Sequence, residues 1–389
     1  MKHVLIAVPR MIHPAVSGGE GRVSSLLRAM TPRWRFTVAT FAEPGAEREL
    51  AAAALDLEAR AGIKTMLVSR TPGASGRSSS LMPRIARSHS DPAMAEALDA
   101  EVRGGGVDLV ALEFTQMAQY ARALAGRVPV VTTEHDAGVL SWNRSYLRDE
   151  GAFGWLKALV YLRRELAPCR RVVALSAADA DRLGPVVGGG RLRVVPSGVS
   201  LDAFPWRGLE DRDRTAAVFV GHYPHFPNED AAVFLATEVL PELRRLVPAA
   251  RLTLVGSRPT PAVKALAADG VSVTGTVPSV APHLASARVF LAAVRLGRGL
   301  KGKILEAFAA GVPVVATRAA CEGIPGAVDG RTLLLAEAPA EFAAAAARLM
   351  TDDELAGRLS REARALVERD FSWDRQADLL DAVFREALA

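Results

Sequence analysis

The sequence predicts an α/β protein of two doubly wound domains, each a parallel sheet with helices on both faces. Three observations predict it. Short apolar runs bounded by Gly or Pro alternate with longer helical patterns, and the runs are continuous, as in strands buried on both faces. The pattern closes near residue 194 and then starts again. At 389 residues, 50% of them hydrophobic, the chain is too long for one ordinary core and can bury two.

In chain order, HVLIAV, FTVATF, KTMLV, VDLVALE, PVVTTE and RVVAL are the strand-like runs of the first half. GEGRVSSLLRAM, AEALDAEVR and QMAQYARALAG are helical patterns between them. The second half repeats the scheme with AAVFVG, RLTLVG, VSVTG, RVFLAAV, PVVATR and TLLLA. The seam is the polar, Pro- and Gly-bearing stretch 194–215. A Gly-, Ser- and Arg-rich stretch at 69–84 reads either as a loop over a ligand cleft or as an excursion without a role. The last pattern, FSWDRQADLLDAVFREAL, is a closing helix.

The formal net charge is +5, from 48 Lys and Arg against 43 Asp and Glu. This suits anionic small molecules or an acidic membrane surface and is too modest for a nucleic-acid partner. Two cysteines, Cys169 and Cys321, lie in opposite halves, so neither a disulfide framework nor a zinc site is expected and a reducing cytoplasm fits best. The first apolar run is too short for a signal peptide, and no stretch reaches the roughly 18 apolar residues that span a bilayer. Residues 151–171 are apolar and end in basic residues. They read as a helix packed across the first domain, or as one resting on an anionic membrane at its inner face.

The densest chemistry is in RLGRGLKGKILE, residues 295–306. Gly297, Gly302 and Lys303 satisfy G-x-x-x-x-G-K, but Ile304 stands where a P-loop needs a Ser or Thr for magnesium. The loop follows a strand and opens a helix near Gly302, whose N-terminus favours an anion. Arg295, Arg298, Lys301 and Lys303 would oppose the helix dipole unless an anion arrives, and Gly297, Gly299 and Gly302 allow close backbone approach. Glu306, one turn beyond Lys303, suits a ribose diol. These residues describe a phosphate site, or else basic residues that merely cap a surface helix.

SGGEGRVSSLLRAM, TEHD, VVPSGVSLDAF, FVGHYPHFPNEDAAVFL, KILEAFAAGVPVVATR and FSW, in this order and spacing, resemble a retaining GT-B glycosyltransferase of glycosyltransferase family 4. The resemblance covers essentially the whole chain. It implies two Rossmann-like domains facing an interdomain cleft: an acceptor-binding domain over 1–198, completed by a C-terminal helix over 371–389, and a donor-binding domain over 199–370. The family's donor site has two glutamates separated by seven residues. Glu306 matches the second, and Arg298 stands in place of the first. His222 and Tyr223 stand where the family often has an Arg and a Lys for the diphosphate. Arg295, Gly297, Gly299, Lys301 and Lys303 resemble the R-x-G-x-G-x-[RK]-x-K run of a subgroup.

The implied chemistry is front-face transfer of a sugar from a UDP, GDP or dTDP sugar, a co-substrate rather than a cofactor, to a glycan, lipid-linked or small-molecule hydroxyl. Surface polysaccharide assembly is the usual setting of the subgroup. Arg295, Lys301 and Lys303 would stabilise the leaving diphosphate in place of a metal. His135, at the carboxyl end of its strand, would meet the sugar or acceptor. Glu322 and Gly323 would meet sugar hydroxyls, and Arg298 and His222 would line the donor. Gly18, Gly19, His13 and Arg144 would line the acceptor, and His225 is a further liner. Asn228 is expected to cap the helix after it. Two alternatives share the fold: a sugar-nucleotide 2-epimerase, and a non-catalytic sugar-nucleotide binding subunit, suggested by Arg298.

Overall fold

The computed structural model describes residues 1–15, 17–72, 82–135, 154–296 and 301–389. It divides into two units, Met1–Pro196 with Gln376–Ala389, and Ser197–Arg375. Most of the 69–84 stretch, and residues 151–153 of the 151–171 segment, lie outside the described residues.

The first unit is built on a seven-stranded parallel sheet ordered β3-β2-β1-β4-β5-β6-β7. Its strands are β1 (His3–Val8), β2 (Arg35–Ala42), β3 (Lys64–Ser69), β4 (Leu109–Glu113), β5 (Val130–Glu134), β6 (Arg171–Ala174) and β7 (Leu192–Val194). All six residues of β1 are buried, as its unbroken apolar run requires. Strand order reverses between β1 and β4, so the carboxyl ends of these two strands border a topological switch point, where open α/β sheets bind ligands. Helix Gly154–Leu166 packs Ala158, Tyr161, Leu162 and Leu166 into this core and leaves Leu156 and Val160 on its outer face. The closing helix, Trp373–Leu388, buries Leu380, Val383 and Phe384, and Trp34 stacks edge-on against Phe384 while its indole N–H reaches Asp381 at 2.7 Å.

The second unit repeats the plan with six parallel strands ordered β10-β9-β8-β11-β12-β13. These are β8 (Asp213–Val220), β9 (Arg251–Val255), β10 (Val271–Gly275), β11 (Ala287–Ala292), β12 (Val314–Ala316) and β13 (Leu334–Leu335). Its switch point lies between β8 and β11. Phe219, Phe290, Phe308 and Phe342 are wholly buried beneath it, and truncating any one would cost about 3–5 kcal/mol. No helix of the described residues is long and apolar enough to cross a membrane.

Two sequence expectations are corrected. QMAQYARALAG forms a 3-10 turn, Thr115–Tyr120, followed by a single helical turn, Ala121–Leu124. Phe114, just before it, has φ +73°, outside helical space, so the turn begins at Thr115. The edge strand β7 has no counterpart among the apolar runs, because Arg193 sits at its centre and Val194 is exposed.

Candidate functional site

At the first switch point the chain leaves β1, turns, and enters helix Gly18–Met30. Ser17 caps this helix and Glu20 reaches back to the Ser17 N–H at 3.0 Å, a reciprocal capping box that fixes where the helix starts. Gly18 and Gly19 therefore form its first two positions. A side chain at Gly19 would not fit: its Cβ would lie 2.7 Å from Phe114 Cε1 and 3.3 Å from His135 Nδ1. The Phe114 and His135 rings stack with centroids 3.7 Å apart and planes 16° apart, an arrangement worth about 0.5–1.5 kcal/mol.

His135 follows β5, and its Nε2 meets the carboxylate of Glu113, the last residue of β4, at 2.6 Å. Glu113 also accepts from Thr133 Oγ1 at 2.9 Å, its register partner across the two strands. Arg22, buried on helix Gly18–Met30, holds its guanidinium 3.7 Å from the same carboxylate and donates to the Val195 carbonyl at 2.9 Å. Burial pushes the Glu113 carboxyl up, but His135, Arg22 and Thr133 outweigh it and hold it below the usual range. Burial lowers His135, and the Glu113 carboxylate only partly offsets that. The pair is thus an ionised carboxylate and a neutral imidazole. Glu134, the acid of TEHD, is buried and accepts from Thr115 Oγ1 instead of facing the switch point. His13 is tied on both ring nitrogens, to Asp56 at 2.6 Å and to Arg28 at 3.2 Å.

At the second switch point β8 is followed by Gly221 and β9 by Gly256. Gly256 has φ +146°, and a Cβ on it would lie 1.8 Å from the Gly221 carbonyl oxygen, so only glycine lets these two strand ends meet. The close approach brings His222 Nδ1 to Ser257 Oγ at 2.7 Å and leaves the His222 side chain exposed. Tyr223, in contrast, is wholly buried with its hydroxyl on the Val255 carbonyl, and it presents nothing to a ligand.

Helix Gly302–Ala310 begins opposite, with Lys301 at its N-cap. Its last carbonyls are held by Arg212, which reaches Ala310 at 2.6 Å, and Arg364, which reaches Ala309 at 2.7 Å, cations where the helix dipole favours them. Lys303 is half-buried over the face of Phe219, with Nζ 4.6 Å from the ring centroid and 2.5 Å from Asn228 Oδ1. Burial lowers the Lys303 ammonium to about 7, the Lys301 charge adds to that, and Glu306 opposes it. Glu306 lies one turn on, its carboxyl pushed up by burial against the pull of Lys303. Arg295 packs on Phe234 at 4.3 Å and pairs through two hydrogen bonds, 2.8 and 3.1 Å, with Asp230.

Asn228 does not cap its helix, which is a correction. Helix Phe226–Phe234 starts earlier, with His225 at the N-cap, so Asn228 lies inside the first turn. Its amide N–H donates to the His222 carbonyl at 2.9 Å while its oxygen takes Lys303. The start of this helix thus supplies anchors, Asn228 and Asp230, for two predicted phosphate cations. Sequence reasoning missed both, along with Arg22, Glu113 and Phe114. The available signal was Glu113, an acid ending an apolar strand that a parallel sheet would bury.

Lys303, Glu306, Gly302 and Lys301 share one helical turn and a bit of the second unit, with His222 beside Asn228. Gly18, Gly19 and His135 come together in the first unit. Glu322 is exposed and Gly323 buried, after the short helix Arg318–Cys321 that follows β12. Gly297, Arg298, Gly299 and Arg144 lie outside the described residues. Among the described residues no three His, Cys, Asp or Glu side chains group as metal ligands.

Comparison with known proteins now bears on this geometry. The profile described as Glycosyltransferase Family 4 matches residues 16–203, and that described as Glycosyl transferases group 1 matches residues 214–352. A sequence search of curated proteins finds no match. Among solved structures, HepE of Anabaena, in complex with UDP and glucose, is similar at a TM-score of 0.70 and 15% identity, over 99% of this chain and 100% of that one. Sucrose-phosphate synthase from Thermosynechococcus elongatus is similar at 0.73 and 18% identity, over 99% of this chain and 98% of that one. An S. aureus TarM mutant, in complex with Fondaparinux, alpha-GlcNAc-glycerol and UDP, is similar at 0.70 and 11% identity, over 99% and 100%. Two Rossmann-like units in these orders, matched end to end by such structures and by two glycosyltransferase profiles, identify the protein: it is a glycosyltransferase of GT-B type.

Proposed function

We propose that the protein is a retaining transferase of glycosyltransferase family 4, and that it moves a sugar from a nucleotide-diphosphate sugar to an acceptor hydroxyl without a metal ion. The observation that carries this is Lys303. It is a desolvated ammonium at the first turn of helix Gly302–Ala310, resting on a neutral amide, with the Glu306 carboxylate one turn behind it. A diphosphate would complete the charge at Lys303 and at the helix N–H groups, while Glu306 accepts from the ribose diol. As the C1–O bond breaks, Lys303, Lys301 and Arg295 stabilise the leaving diphosphate, the charge a metal would otherwise balance. The acceptor lies with the first unit, where His135 and the Gly18–Gly19 turn meet. UDP is the first donor nucleotide to try, since HepE and the TarM mutant were solved with it. An acceptor that is a glycan or a lipid-linked sugar, in bacterial glycoconjugate assembly, is the corresponding expectation.

The test is thermal stabilisation by UDP, GDP and dTDP, each with and without EDTA. The reading expects one nucleotide to raise the melting temperature regardless of EDTA, and Lys303→Ala and Glu306→Ala each to abolish the rise. A rise that requires Mg²⁺ and a triphosphate would sink it.

A further inference from the structure

An ionised carboxylate only accepts hydrogen bonds, so the imidazole nitrogen that faces it must carry the proton. Glu113 Oε2 lies 2.6 Å from His135 Nε2, and Thr133 Oγ1 occupies the other oxygen. The remaining nitrogen, Nδ1, is then a lone-pair acceptor. It makes no hydrogen bond to a described residue and is not among the fully enclosed unpaired atoms. It packs against Gly19 of helix Gly18–Met30, 3.3 Å from where a Cβ would stand, so any side chain there would crowd it. Phe114, which clamps the ring from one face, adopts φ +73°, a conformation costing a bulky residue on the order of 1–3 kcal/mol. Strain, a buried acid and an absent side chain converge on this one ring.

We propose that Glu113 is a positioning residue of the transfer reaction: it locks His135 in the Nε2–H tautomer and so presents Nδ1 as an acceptor to a hydroxyl of the bound substrates. The inference rests on the sugar-transfer reading above for the identity of that hydroxyl, and on the structure alone for the tautomer. Arg22 keeps Glu113 ionised, and Phe114 fixes the ring plane. Among the described residues, the charged groups facing the imidazole are Glu113 from β4 and Arg22 from helix Gly18–Met30.

The test uses the full chain labelled with ¹⁵N-histidine and no donor present, with His135→Gln to assign the ring. The Nε2–H form is expected in the wild type and a mixture of tautomers in Glu113→Gln, whose amide can donate as well as accept. Kinetically, Glu113→Gln should lower kcat roughly 10- to 100-fold with little change in donor KM. Its acid limb should move to lower pH, because the carboxylate that raises His135 is gone. Glu113→Asp keeps the charge and should restore the tautomer and part of kcat. It also serves if the glutamine variant fails to fold. An Nδ1–H wild type, or a tautomer and acid limb unmoved in Glu113→Gln, would overturn the proposal. A wild type that binds no nucleotide would instead fault the sugar-transfer reading and leave the tautomer result to decide Glu113.

Discussion

At the switch point of the first unit, Glu113 is bonded to His135 and faced by Arg22 at 3.7 Å, with Glu113 and Arg22 out of water and His135 partly so. At that of the second unit, Lys303 rests on the neutral amide of Asn228, and Glu306 makes no hydrogen bond to a described residue. The two sites occupy the same station on the same sheet plan, yet the first has its buried charges matched in advance, whereas in the second Arg295 is paired with Asp230 but Lys303 meets only a neutral amide. The first pattern suits a group that must hold an orientation. The second suits a group whose counter-charge is brought in by a ligand.

The sharpest way to break this contrast is to remove a matched charge. Arg22→Met leaves the buried Glu113 carboxylate short of a cation, and should cost about 3 kcal/mol in urea unfolding. A loss under about 1 kcal/mol would mean that the array is not charge-balanced through Arg22. Lys303→Met should do the reverse. It should cut kcat/KM about 100-fold, roughly 2.7 kcal/mol of transition-state stabilisation, while leaving the unfolding midpoint undiminished. Activity within threefold of the wild type would remove Lys303 from the chemistry.

Titration sharpens the comparison further. Lys303 loses its proton near pH 7 in the folded protein, whereas an unfolded lysine keeps its own to about 10.4. Its folded value is depressed, so its buried charge burdens the fold fully below about pH 7, and the burden lifts as pH rises toward 10. For binding the sign is opposite: a nucleotide diphosphate needs the ammonium. UDP affinity should therefore weaken by up to about tenfold per pH unit above 7, and Lys303→Met should flatten that slope. Titration calorimetry from pH 7 to 9 reads it directly, and a flat wild-type profile would contradict a cation recharged by its ligand.

The smallest effect should come from Asp230→Asn. The Arg295–Asp230 pair is partly exposed, with side-chain accessibilities of 38% and 19%, and its loss should change stability by less than about 1 kcal/mol. If chemical denaturation instead shows a loss near that of Arg22→Met, the second site also holds matched charge for the fold's sake, and the contrast fails.

Much of the architecture was legible in the residue pattern. Runs such as HVLIAV and RVFLAAV have no polar alternation, and strands buried on both faces can tolerate none, so β1 and β11 announce themselves. The start of helix Gly302–Ala310 was legible too, because Gly, Lys and a following apolar stripe are local signals. Helix Glu47–Ala61 was not, since it buries only Leu57 and so carries little periodic pattern.

The sequence by itself determined the fold class, the repeated plan, the glycosyltransferase character and the helix turn bearing Lys303 and Glu306. Tertiary structure alone decided the partners. Asn228 has the composition of a cap and became an anchor for Lys303 because β8 and β11 lie side by side. Arg22 looks like a surface residue of an amphipathic helix and became the counter-ion of Glu113 because β1 and β4 are neighbours. The reason is physical. Burial follows from short-range periodicity, which any stretch of chain displays, whereas the pairing of charges depends on which strand ends the sheet order brings together, and that order is written in no single stretch.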